Sequence, residues 1–301
     1  MALPGFLVIG AMKAGTTSLF HYLRQHPQLA FGQAKEPSFF AFEDSPLDFR
    51  GPLDDRLKQM VITQLSAYAE QYKGAKPGMK LGDVSPIYMY SERAAARIHE
   101  CIPGAKLIAI LRDPADRAYS NYVHFAREGR ERAATFEAAL EQEAARIAAN
   151  WAPQWHYQRL GFYAAQLTRY LALFPRAQMR FFLYEDLRHD ELGVVRQIFD
   201  FLGVDPGFVP RMGERWNVGG VARSRAVHNF LRRPGWVARL VRPIVHRETR
   251  QRIVLGLMRL NLRPAPPMRA ETRAMLVRAY RADIEQLQRL IDRDLGAWLR
   301  A

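Results

Sequence analysis

The chain has 301 residues, 49% of them hydrophobic, enough for a full core in one large α/β domain over 1–301. A lone cysteine, Cys101, excludes an internal disulfide framework and a cysteine-based metal cluster, and the lack of any 18-residue apolar run argues against a membrane-spanning helix. Lys and Arg number 44 against 30 Asp and Glu, a formal charge of +14 that concentrates anions: a phosphorylated cofactor, an acidic glycan, a nucleic acid or an anionic membrane.

In chain order, residues 6–11 read as a buried strand and 16–25 as a helix, with glycine turn chemistry between them. Residues 54–72 carry apolar side chains at helical spacing. Residues 78–89 look extended and break at Pro86. A helix is expected over 91–101 and a second buried strand over 106–112. Pro114 ends that strand, because the residue before proline avoids the helical region. Helices follow at 115–128, 133–150 and 162–174, a third strand at 178–187, a helix at 191–202 and a last long helix at 272–292. The stretch 211–268 is arginine-rich and reads as an ordered loop followed by a basic helical hairpin. Strand–helix alternation predicts a P-loop-like parallel sheet with helices on both faces, and ligands bind at the carboxyl ends of such strands. Few residues precede the first strand, which leaves no room for a signal peptide, so a cytoplasmic location is expected.

Three segments carry chemistry. In "GAMKAGTTSL" (10–19), a glycine turn opens a helix, and its backbone N–H groups make an anion site. Thr17 and Ser18 add hydroxyl donors, and Lys13 can reach a bridging or terminal oxygen. An NTPase P-loop places lysine directly after the second glycine, where this chain has Thr16. In "LRDPADRAYSNY" (111–122), Arg112 at a strand end and Ser120 two helical turns on can hold a second phosphate. The same strand can be read as a Walker B element with Asp113 on magnesium, although the Gly-Lys-Thr order is missing. In "KEPSFFAF" (35–42), Glu36 is a carboxylate on a constrained segment. Burial against Phe39 and Phe40 would raise its pKa toward the range a general base needs.

Together these segments resemble sulfotransferases that use 3′-phosphoadenosine 5′-phosphosulfate (PAPS), in the branch of the heparan sulfate N- and 3-O-sulfotransferases and their bacterial relatives. The 10–19 loop is similar to that family's 5′-phosphosulfate loop, whose lysine also lies inside the loop. The 111–122 segment is similar to its 3′-phosphate segment. "LGDVSPIYMY" (81–90) resembles its acceptor-side segment, with Asp83 for Glu and Val84 for Lys. "GGVARSR" (219–225) resembles a basic loop closing over the nucleotide. The resemblance implies that Lys13 contacts the bridging oxygen, and that the backbone of Ala14, Gly15, Thr16 and Thr17 and the hydroxyls of Thr16, Thr17 and Ser18 hold the 5′-phosphate. Arg112 and Ser120 would bind the 3′-phosphate, and Arg223, Ser224 and Arg225 would clamp the cofactor. Glu36 would be the base, with His124 a further catalytic candidate, and Lys35, Asp83, Ser85 and Pro86 would meet the acceptor. It also implies no metal.

The expected acceptor is a hydroxyl or amine on a glycan or glycolipid, with a small-molecule natural product as the alternative. Other classes in competition are a P-loop kinase or NTPase, and a non-catalytic anion- or membrane-binding module. The stretch 230–262 mixes Arg with Trp and Leu and suits peripheral contact with the inner membrane face. Nucleic-acid binding is not expected, since no recognition motif accompanies the charge.

Overall fold

A computed structural model describes residues 1–212, 221–222, 262–263 and 265–301. Five parallel strands form the central sheet: β1 (Phe6–Gly10), β2 (Leu29–Phe31), β3 (Lys80–Val84), β4 (Lys106–Leu111) and β5 (Met179–Leu183), in the order β2-β3-β1-β4-β5. β1 and β4 sit inside and, from Leu107 on in β4, read as apolar runs because both their faces are covered. The sheet order turns back on either side of β1, which places a crevice at the carboxyl ends of β1 and its neighbours.

Helix α1 (Thr16–Leu23) follows β1, and α2 (Phe39–Phe42) lies in the segment after β2. The expected helix 54–72 is two short helices, α3 (Asp55–Met60) and α4 (Leu65–Glu70). Between them Val61-Ile62-Thr63 is a β-branched run with weak helix propensity. Its backbone is used elsewhere: Ile62 N–H donates to Pro37 O at 2.9 Å, and Thr63 O accepts from Asp44 N–H at 3.1 Å. The apolar periodicity is real, but cross-chain hydrogen bonds interrupt the helix.

α5 (Ala94–Cys101) precedes β4 and α6 (Pro114–Arg127) follows it. Pro114 opens α6, and Asp113 caps it by accepting from Ala115 N–H and Asp116 N–H at 2.9 and 3.1 Å. The predicted helix 133–150 starts later, with Thr135 as cap, as α7 (Phe136–Glu141) and α8 (Glu143–Ala148). α9 (Tyr163–Leu171) precedes β5. The expected strand 178–187 ends at Leu183, and α10 (Tyr184–His189) starts at once. α11 (Glu191–Leu202) and α12 (Ala270–Ile291) complete the α-helices of the described residues. Arg273 on α12 bridges Asp113 at 2.7 Å and Asp116 at 2.9 Å, tying the last helix to the start of α6.

Val221–Ala222 (β6) pairs antiparallel with Leu262–Arg263 (β7), a ladder not foreseen in the reading of 211–268, and β6 lies beside α6. Arg223, Ser224, Arg225 and nearly all of 230–262 lie outside the described residues. Among the described residues no helix is long and apolar enough to cross a membrane.

Candidate active site

The carboxyl ends of the strands open into a cleft of about 470 Å³. The loop after β1 enters it first. Lys13 and Gly15 take the left-handed region, with φ of 68° and 92°. A Cβ on Gly15 would come within 2.9 Å of Leu187 Cδ2 and 3.3 Å of Tyr184, so only glycine fits that turn without a shift. α1 starts directly after Gly15, and the first N–H groups of a helix have no carbonyl behind them. Lys13, Gly15, Thr16, Thr17 and Ser18 line the cleft. Ala14 does not. Its side chain is buried, and the backbone N–H expected to meet the phosphate donates to Ala11 O at 3.2 Å.

The loop after β4 brings Arg112 to the same rim. Its Nη1 donates to Lys13 O at 3.1 Å, and its guanidinium lies 4.7 Å over the Tyr184 ring. Tyr163 Oη–H holds the Arg112 carbonyl at 3.0 Å. Ser120 and His124, one turn apart on α6, face the cleft together. His124 Nδ1 accepts from Arg127 at 3.1 Å, and its Nε2 is 3.8 Å from Glu128. Loss of water around Lys13, then the charges of Arg127 and Arg112, push its ammonium down to about 8, with Glu128 and Glu36 opposing. Asp113 does not present a carboxylate to a nucleotide. One oxygen caps α6 and the other pairs with Arg273, which removes the Walker B reading.

From β2 comes Glu36. Its Oε1 accepts from Lys35 Nζ at 2.7 Å, and the same Nζ donates to Thr17 Oγ1 at 2.8 Å. Lys35 thus links the phosphate loop to the carboxylate. The expectation that Glu36 is buried against Phe39 and Phe40 fails. Its side chain is 38% exposed, while Phe39 stacks on Tyr68 at 4.6 Å and Phe40 packs on Tyr68 and Tyr88. The ring run anchors the segment and leaves the carboxylate in the cleft.

Asp83 and Ser85 are also corrected. Both are buried and cannot meet an acceptor arriving from solvent. Asp83 accepts from Tyr68 and Tyr88 hydroxyls at 2.6 Å each and from Ser85 Oγ at 2.7 Å. Ser85 Oγ in turn accepts from Ser38 N–H at 3.0 Å, where Ser38 adopts φ 55°. The pair therefore holds the turn two residues after Glu36. Pro86 does line the cleft, as does Lys35. Sequence reasoning missed Tyr184, which it left inside a strand, and Glu128 and the α3 wall.

Burial pushes the Asp83 carboxyl up to about 6; hydrogen bonds from Ser85, Tyr68 and Tyr88 pull against that rise, and the Glu36 charge adds to it. Its raised value means that stability from this group is present below the unfolded value of about 3.9 and is lost as pH rises through about 6. The thermal midpoint of the wild type relative to Asp83→Asn should fall between about pH 4 and about pH 7. A constant difference across that range contradicts the buried-carboxyl account.

The model of the sulfotransferase family matches residues 4–208. Bifunctional heparan sulfate N-deacetylase/N-sulfotransferase 4 of Mus musculus is 30% identical over 99% of this chain, and the match covers 31% of the mouse protein. Heparan sulfate glucosamine 3-O-sulfotransferase 3B1 of Homo sapiens is 32% identical over 67% of this chain and 46% of its own length. The chain thus spans less than half of these curated relatives. A sulfotransferase structure from Alicyclobacillus acidocaldarius superposes with a TM-score of 0.79 at 31% identity, covering 100% of both chains. The chain belongs to the sulfotransferase family.

Proposed function

We propose that this chain transfers the sulfuryl group of PAPS to a hydroxyl or amine, with Glu36 as the base. The observation that carries the reading is the pairing of two anion sites on one rim. The loop Lys13–Ser18 suits one phosphate, and Arg112 with Ser120 suits a second. A donor set of one lysine, helix-start amides, hydroxyls and an arginine matches a nucleotide phosphorylated at both 3′ and 5′ positions. The basic residues Arg223 and Arg225, with the hydroxyl of Ser224 between them, extend the same reading from sequence alone. The described strand β6, just before them in sequence, lies beside α6.

In the step, the acceptor oxygen or nitrogen attacks sulfur and loses its proton to Glu36. The bond between sulfur and the bridging phosphate oxygen breaks in line, and adenosine 3′,5′-bisphosphate (PAP) leaves. Lys13 and the loop amides neutralise the departing oxygen. Sulfuryl transfer resembles phosphoryl transfer in spreading charge over equatorial oxygens, so positioning and charge carry most of the work. His124, held by Arg127 and facing the cleft beside Ser120, is a second candidate for contact with the transferring group. The two curated relatives named above are heparan sulfate sulfotransferases, which supports a glycan or glycolipid acceptor. A cytoplasmic protein, peripheral on the membrane through 230–262, completes the reading and rests on sequence alone.

Arg112→Ala tests the second phosphate site. It should weaken PAP binding by about tenfold or more, the scale of a lost charged hydrogen bond. ADP, which has no 3′-phosphate, should lose much less. Equal losses by calorimetry would reject the assignment.

A further inference from the structure

We infer that the acceptor carries an apolar group beside its reacting hydroxyl or amine, and that α3 forms the wall receiving it; this rests on the sulfuryl-transfer reading. Phe42, Leu53, Leu57, Met60, Val61 and Ile87 line the same cleft as Glu36 and Lys13. Leu57, Met60 and Val61 follow helical spacing, so one side of α3 and its C-cap is apolar. That side is only partly spent on the core: α3 fully buries none of its residues, Leu57 and Val61 lean on the core's edge, and Met60 stands off it. Met60 is 63% exposed, one of five exposed large hydrophobic residues among those described. An exposed apolar strip at a cleft marks a binding surface more than a packing one, and methionine adapts to ligands of varied shape.

The wall is fixed next to the reacting group. Ile62 N–H, just after Val61, donates to Pro37 O, just after Glu36, at 2.9 Å. Charge points the same way. Lys13, Lys35 and Arg112 belong to the phosphate side. Arg130, on the α3 side, is committed to Asp54 at 3.2 Å and lies 4.1 Å over Phe125 and 5.2 Å over Trp155. Among the described lining residues of that side, Arg56 remains as the cation set on α3 itself, with Ser38 and Gln154 as neutral polar groups. A polyanionic chain needs a row of cations; this wall offers one, Arg56, beside a row of uncharged side chains. The fitting acceptor is an alcohol or amine with an alkyl or aryl substituent.

The test is calorimetric titration of the full chain, with and without saturating PAP, using methyl, butyl and hexyl glucoside and 2-phenylethanol. A covered methylene contributes about 0.8 kcal/mol, or about fourfold when burial is complete. Hexyl glucoside should therefore bind at least about tenfold more tightly than methyl glucoside. Met60→Ser, at an exposed position that the fold does not need, should narrow the gap by about twofold, and Leu57→Ser by more. Tail dependence in the glucosides points to a lipid-linked acceptor, and preference for 2-phenylethanol to a small aromatic alcohol; both support the apolar wall. Equal affinity for all tails, unchanged preference in both variants, or tighter binding of a sulfated oligosaccharide than of hexyl glucoside overturns it. Tail dependence in a protein that PAP fails to bind would reject the sulfuryl-transfer reading and leave the apolar subsite standing.

Discussion

Glu36→Gln should lower turnover at least about a hundredfold, the scale of a lost general base, with PAP affinity nearly unchanged. The substitution is close to isosteric. The amide that replaces the carboxylate keeps a carbonyl oxygen for the Lys35 ammonium, which also holds Thr17 Oγ1. The cleft and phosphate loop therefore keep their shape, and only the proton acceptor is removed. Two other groups stand near enough to compete for the role: His124 and Glu128, which face the cleft from the α6 side. If either is the base, Glu36→Gln turns over normally and the corresponding His124 or Glu128 variant does not. Steady-state rates with PAP binding measured on the same samples separate these outcomes.

Lys13→Ala should cost about a hundred- to a thousandfold in kcat/KM, as for the loss of one preorganised donor to a developing anion. Lys13 also supplies a pH signature. With its ammonium pushed down to about 8, the charged form dominates below that value and fades above it. An anion at the loop favours the charged form, so PAP affinity should be full below about pH 8 and fall as pH rises beyond it. The fall should be absent in Lys13→Met. Affinity that stays level well above pH 8, or a fall that persists in the variant, would remove Lys13 from the phosphate site.

The parts of the site legible in sequence were those built by local rules. β1, Gly15 and α1 announce themselves by an apolar run, a glycine turn and a change of period. Arg112 and Ser120 follow from a strand end and helical spacing along α6. Illegible parts depend on contacts distant in sequence. The break at Val61–Thr63 comes from hydrogen bonds to Pro37 and Asp44, and it creates the apolar wall beside Glu36. Asp83 looked like an acceptor contact because its segment resembles the family's acceptor-side segment, yet two tyrosine hydroxyls and Ser85 hold it inside. Ala14 sits within the loop motif, but the left-handed turns at Lys13 and Gly15 send it into the core. Tyr184 went unnoticed because helix α10 starts without a break from β5, so the apolar run hid the change of element.

The most direct measurement is incubation of the protein with PAPS labelled in its sulfuryl group and a panel of hydroxyl and amine acceptors, followed by quantification of labelled acceptor and PAP. The account predicts label in the acceptor with one PAP released per transfer, persisting in the presence of a chelator and lost in Glu36→Gln. A folded protein that moves no label, gains no thermal stability from PAP and is stabilised by magnesium–ATP would contradict it.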